Sequence, residues 1–195
     1  MSDRHFVWLH RVEPHACDLS AFDGFEDDYR LFDGESLAEQ WPSGVYFEMN
    51  RDHPDDKRLV DSLFNTDSLL VVSERLRSFL EGWPIAHAEF LPVEIRDHKR
   101  KRVDKPYHIL NLAHHHDCLD ATASYAEASM VPGEYDRVEG LALRNEEAVA
   151  DEPLFRLARF GVPTIVKREL AEAIDAEGFS GVRWGELADF EKKLW

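Results

Sequence analysis

The chain has 195 residues, with 39 Asp and Glu against 23 Lys and Arg, giving a formal net charge of −16 and a pI near 5.0. Affinity for phosphate comes from counterions released opposite basic surface, so this balance excludes a general nucleic-acid binder and a binder of anionic membranes. With 44% apolar and 32% charged residues the composition is globular, and a chain this long buries roughly 70% of its unfolded surface without a disulfide or metal.

Cys17 and Cys118 belong to no CxxC pair and read as free thiols in a reducing compartment. The apolar runs Phe6–Leu9 and Leu69–Val72 are too short for a signal peptide or for the ~20 residues of a membrane span, so a soluble cytoplasmic protein is expected. Residues 1–56 hold 14 acids and 4 bases, residues 57–113 hold 8 and 10, and residues 114–195 hold 17 and 9. No Ser/Gly-rich linker divides these parts, and 1–195 reads as a single domain with a strand-rich acidic part, 1–66, ahead of 67–195.

In chain order, His5 to Val12 reads as a strand that ends before Pro14. Asp23-Gly24 and Asp33-Gly34 are turn dipeptides, the second after an expected strand Tyr29–Phe32, and Ser43-Gly44 opens another strand, Val45–Met49. Leu69–Val72 reads as a buried strand leading into a helix. Ser73 is the expected N-cap, a position where Asp serves as well, and Glu74 suits the first turn. Leu76, Phe79 and Leu80 share a face, with Gly82 as the expected left-handed stop. Strands Ala88–Ile95 and Tyr107–Leu112 follow, with the basic tract His98–Arg102 as a hairpin tip between them. Near the C-terminus Thr164–Val166 leads into a helix over Lys167–Glu177, with Leu170, Ala173 and Ile174 on one face and Gly178 behind it.

A shift of 94 positions lays Val72 on Val166, Leu76 on Leu170, Leu80 on Ile174, Ala88 on Val182 and Phe90 on Trp184. An internal duplication and two ordinary strand-helix-strand segments account for this about equally. The expected fold is α+β, with mixed, mostly antiparallel sheets and a few packed helices.

The run Val71-Val72-Ser73-Glu74-Arg75-Leu76, then Phe90-Leu91-Pro92-Val93, Tyr107-His108-Ile109-Leu110-Asn111, Leu154-Phe155-Arg156-Leu157 and the closing Gly178-Phe179-Ser180-Gly181-Val182-Arg183-Trp184 come in a recognisable order. This series resembles a bacterial immunity-protein family, formerly catalogued as a domain of unknown function, whose members occur beside polymorphic toxins. The first sixty residues match only through the Phe32-Asp33-Gly34 turn and Trp41, and Lys167 stands where the family often has a Ser like Ser73. The resemblance implies a toxin as partner and a fold with no active site attached.

The residues themselves agree with that implication. Tyr107 and Asn111 alternate along a strand, where such side chains satisfy buried backbone groups. Ser73 lacks a G-x-S-x-G elbow or a neighbouring base. His114-His115-His116-Asp117-Cys118 offers metal-ligating chemistry, yet adjacent strand residues point to opposite faces, so at most two converge. The pairs Asp27-Asp28, Asp55-Asp56, Glu146-Glu147 and Asp151-Glu152 read as solvated faces.

Two readings compete with a non-enzymatic immunity protein: a metal-dependent hydrolase using His114, His116 and Asp117, and a structural homo-oligomer. No cofactor is expected, and self-association is left open. The expected toxin-binding residues are Asp23, Glu26, Asp27 and Asp28, clustered at a Gly turn in the acidic first third, together with the terminal Trp195. Acidic side chains there would speed encounter with a basic toxin, and Trp is enriched among interface hot spots.

Overall fold

The computed structural model describes residues 4–191. In chain order its elements are β1 (His5–His10), β2 (Leu19–Asp23), β3 (Tyr46–Met49), β4 (Ser62–Leu63), β5 (Val71–Ser73), α1 (Glu74–Leu80), β6 (Ala88–Arg96), β7 (Tyr107–Leu112), β8 (His115–His116), β9 (Ala126–Ala128), β10 (Tyr135–Val138), β11 (Leu154–Leu157), β12 (Phe160–Lys167), α2 (Arg168–Ala176) and β13 (Val182–Glu186). One sheet runs β2-β3-β6-β7-β5-β4 and the other β13-β1-β12-β11-β8, with β9 and β10 as a separate ribbon. Most pairs are antiparallel; β3 with β6 and β8 with β11 are parallel. The fold is α+β, as expected.

The two sheets contain the same unit. In each, a strand enters a helix and a second strand returns, parallel to the first but one place removed, because an antiparallel strand lies between them. That middle strand is β7 in the first sheet and β1 in the second. Its register is the same in both: Tyr107 faces Ser73 as His5 faces Lys167, and Leu112 faces Ala88 as His10 faces Val182. The outer neighbours correspond too, since Ser62 faces Val72 as Leu154 faces Val166. The chain's first strand therefore completes its last unit.

The residues matched by the 94-position shift meet in space. Val72, Leu76 and Leu80 share one buried cluster with Val166, Leu170, Ile174 and Val182, with Ala88, Phe90 and Trp184 packed against it. Here each helix lays its apolar stripe between the sheets, the arrangement that removes most apolar surface from water. The opposite faces are covered by inserted segments. Val71, Ile109, Leu91 and Ile95 pack under Leu19, Leu31, Leu37 and Phe47. Val7, Phe155 and Ile165 pack under Cys118, Leu119, Val138 and Leu141. With both faces covered, every residue of β7 is buried.

Several local expectations hold and some do not. Ser73 caps α1, its hydroxyl accepting the Leu76 N–H at 3.2 Å, whereas Lys167 places no side-chain cap on α2. The expected strand Tyr29–Phe32 is instead part of a 3₁₀ turn over Asp28–Phe32, because only Leu31 turns inward and no neighbouring strand pairs with it. Gly82 is not in the left-handed region; α1 closes through the Glu81 N–H to Arg77 and the Gly82 N–H to Phe79. Gly178 does take a positive φ after α2. The family-like Phe32-Asp33-Gly34 turn lies against β12 so closely that a Cβ on Gly161 would sit 2.2 Å from the Phe32 carbonyl oxygen.

Candidate functional site

The expected acidic site lies where β2 ends and the 3₁₀ turn begins. Asp23 is held by the fold: its carboxylate accepts the Gly24 N–H at 2.6 Å and the Tyr46 hydroxyl at 2.6 Å. Those bonds, the Tyr46 one first, hold its pKa below the usual carboxylate range. Glu26, Asp27 and Asp28 are exposed and make no ion pair among the described residues, while Phe25 anchors the turn against Trp41. The structure thus leaves three of the four carboxylates to face solvent and assigns the fourth to the turn. Trp195 lies outside the described residues.

Within the histidine run, His115 and His116 form the short strand β8. His114 and His116 lie on one side, their rings edge-to-face with centroids 4.8 Å apart, and His87 stacks at 5.5 Å from His114. His115 points the other way against Gly34 and Gly161, and burial lowers its imidazole to about 4. Asp117 does not join the histidine pair: it bonds Arg144 at 2.8 Å and lies 3.9 Å from Arg159. Among the described residues no group of three or more His, Cys, Asp or Glu side chains is placed to hold a metal ion. Both thiols are buried, and desolvation raises Cys17 to about 12 and Cys118 to about 11, far from a reactive thiolate.

The basic tract is the tip between β6 and β7, as expected. It is folded around Asp97, whose carboxylate accepts the N–H groups of Lys99 and Lys101. Tyr107 donates to the Val60 carbonyl at 2.8 Å, and Asn111 donates to the Glu35 carbonyl and to Glu89, both at 2.9 Å. These side chains fasten the covering segments to the sheet.

Two features escape a reading of local motifs because residues far apart in sequence build them. The first is a polar knot where the two units meet. Asp61 accepts the Ser73 hydroxyl at 2.8 Å, the Ser180 N–H at 2.9 Å and the Ser180 hydroxyl at 2.8 Å, and lies 3.4 Å from Arg75. Burial acts to raise its pKa, but these donors outweigh it and keep the carboxyl below its ordinary value. Beside it, Gly181 approaches the Ser62 carbonyl oxygen so closely that a Cβ would lie 2.2 Å away.

The second is a groove of about 580 Å³ on the same seam, between the end of β1, the residues around β4 and the start of β12. Val60, Leu69, Leu70 and Pro163 line it, with His10 at one wall. The His10 ring lies 3.5 Å from the Ser62 hydroxyl and edge-on to Phe64, and burial lowers its pKa to about 4, so it is neutral near pH 7.

Compared with known families, the chain is similar to the immunity protein family Imm11, whose model matches residues 10–189. A search of curated proteins finds no match.

Proposed function

The chain belongs to the Imm11 immunity protein family, and from that premise we propose that it neutralises a cognate bacterial toxin in the cytoplasm by binding it, with no chemistry of its own. The family match over residues 10–189 carries this reading. The side chains with catalytic chemistry support it, because they are committed elsewhere: Asp117 to Arg144, Ser73 to the α1 cap and Asp61, and both thiols to the core. A hydrolase built on His114, His116 and Asp117 would need that carboxylate beside the imidazoles.

A net charge of −16, with residues 1–56 carrying 14 acids and 4 bases, suits a toxin with a basic surface. Glu26, Asp27 and Asp28 are the part of the acidic turn we assign to its encounter. The test is co-expression in a bacterial host of the toxin encoded beside this chain's gene. Growth should return only with the chain present, and the two proteins should co-purify as a stable complex with the toxin unmodified. Rescue without a complex, or with a covalently altered toxin, would overturn binding as the means.

A further inference from the structure

Seven large apolar side chains stand exposed among the described residues, and three of them, Val12 at 99%, Phe64 at 43% and Val162 at 43%, rim the groove at the seam. Exposed apolar side chains are ordinary when scattered. Gathered round one apolar concavity they mark a contact site.

We propose that this groove seats a cationic segment of the toxin that leads with an aromatic or branched apolar side chain, an assignment that rests on the toxin-neutralising reading above. The floor favours an apolar group because the Asn65 side chain and the Ser62 N–H are already paired. The Asn65 amide donates to the Leu63 and Leu69 carbonyls and its oxygen accepts the Leu69 N–H. The Ser62 N–H is bonded to Ser180 across the seam. An entering charge would find no partner there, whereas an apolar side chain loses only its water.

The rim chooses the charge around that side chain. Glu13, Asp18, Asp56 and Glu191 line the groove with Arg11, His53 and Arg183. Each carboxylate already has a neighbour, Arg58, His53, His15 and Arg137 in turn, so the acidic excess at the rim is modest and adds to the net charge of the whole chain. Arg183 is exposed, with its Nε 3.4 Å from the His10 carbonyl. Carboxylates around an apolar seat attract lysine or arginine flanking the anchor and repel acidic segments. The same sign argues against a second copy of this chain, which would bring a molecule of net charge −16 to the acidic rim.

The test measures affinity for an inactivated form of the toxin encoded beside the gene. Val12→Lys with Val162→Lys removes two of the three apolar rim side chains and adds like charge toward the segment; Val12→Glu with Val162→Glu removes the same two and adds charge of the attracting sign. Both positions are exposed, and thermal unfolding checks that each variant folds. The lysine pair should weaken binding by about tenfold or more, the factor that roughly 1.4 kcal/mol of lost contact gives, and the glutamate pair by less. Met130→Lys with Val131→Lys, on the other exposed apolar patch, should bind as the unaltered chain does. A photo-crosslinking residue at position 162 should capture a toxin peptide in which Lys or Arg flanks an apolar side chain.

Unchanged affinity in the lysine pair with neutralisation intact would overturn the groove and leave the function standing. Failure of the unaltered chain to bind the toxin would overturn both. Capture of an acidic peptide would overturn the proposed chemistry. A chain ending at Glu191 that binds more tightly, with the lysine pair unaffected, would assign the groove to residues 192–195 instead. A dimer that the lysine pair dissociates, with toxin affinity unchanged, would assign it to a second copy.

Discussion

The Ser73 hydroxyl donates to the Asp61 carboxylate at 2.8 Å while accepting the Leu76 N–H at 3.2 Å, so one side chain both caps α1 and ties the two units together. Loss of a cap costs about 0.5–2 kcal/mol, and loss of a bond to a charged acceptor adds roughly 1.5–3 kcal/mol. Ser73→Ala should therefore lower unfolding stability by about 2–5 kcal/mol. Ser73→Asp, which the sequence alone presents as an equivalent cap, should be at least as harmful near pH 7, because it sets a second carboxylate against Asp61. Ser73→Thr should recover most of the loss. Urea unfolding of the three variants decides this, and a stable Ser73→Asp would refute the shared role of the hydroxyl.

Gly181 and Gly44 both have positive φ, at +78° and +84°, yet a Cβ at Gly181 meets the Ser62 carbonyl oxygen at 2.2 Å and one at Gly44 meets nothing within 4 Å. Gly44→Ala should cost only the left-handed backbone penalty, roughly 1–2 kcal/mol. Gly181→Ala adds a clash with backbone at the seam and should cost at least about 3 kcal/mol or prevent folding. Thermal denaturation distinguishes them; equal shifts would mean that the seam opens without resistance.

Stability should fall as the medium becomes mildly acid. The imidazoles of His5, His10, His108, His115 and His116 all titrate below 6.5, with burial the largest cause for each, and His10 and His115 do so at about 4. The unfolded chain binds these protons at higher pH than the folded one, so their contribution is complete above pH 6.5 and is lost as pH falls toward 4. His10 and His115 are each worth a few kcal/mol at the limit, at about 1.4 kcal/mol per pH unit. Asp61 and Glu89 also titrate low, and their contribution is lost only further down, below their ordinary values of 3.8 and 4.5. Urea midpoints should hold from about pH 7.5 to about 6.5 and decline from there to about pH 4.5, more shallowly in His10→Gln with His115→Gln. A flat profile in the unaltered chain would contradict the burial of these rings.

Neutralising Glu26, Asp27 and Asp28 together should slow association with a basic toxin by several-fold and leave dissociation nearly unchanged, because exposed charges act on encounter. The effect should fade as salt rises, since the Debye length is ~8 Å at physiological ionic strength. Asp23 is left intact because its bonds to Tyr46 and Gly24 hold the turn. Stopped-flow binding at two salt concentrations reads the result; an association rate indifferent to both changes would remove the turn from the encounter surface.

Local periodicity and cap chemistry made much of this protein readable in its sequence. The stripe Leu76, Phe79, Leu80 and the shift that aligns Val72 with Val166 each reflect which side of an element loses water, a property that successive residues carry themselves. Where the expected first strand pairs, and what residues 60–64 do, were not readable, because β1 fits between β12 and β13 only once the far end of the chain has formed its own unit. The Asp61 knot and the seam groove have the same origin: Asp61 meets Ser180, and Val12 and Val162 come to line one groove, only through tertiary packing. The sequence by itself determined the elements and the apolar faces they bury. Tertiary structure alone decided which polar groups were spent in joining the two units and which apolar side chains were left around the gap between them.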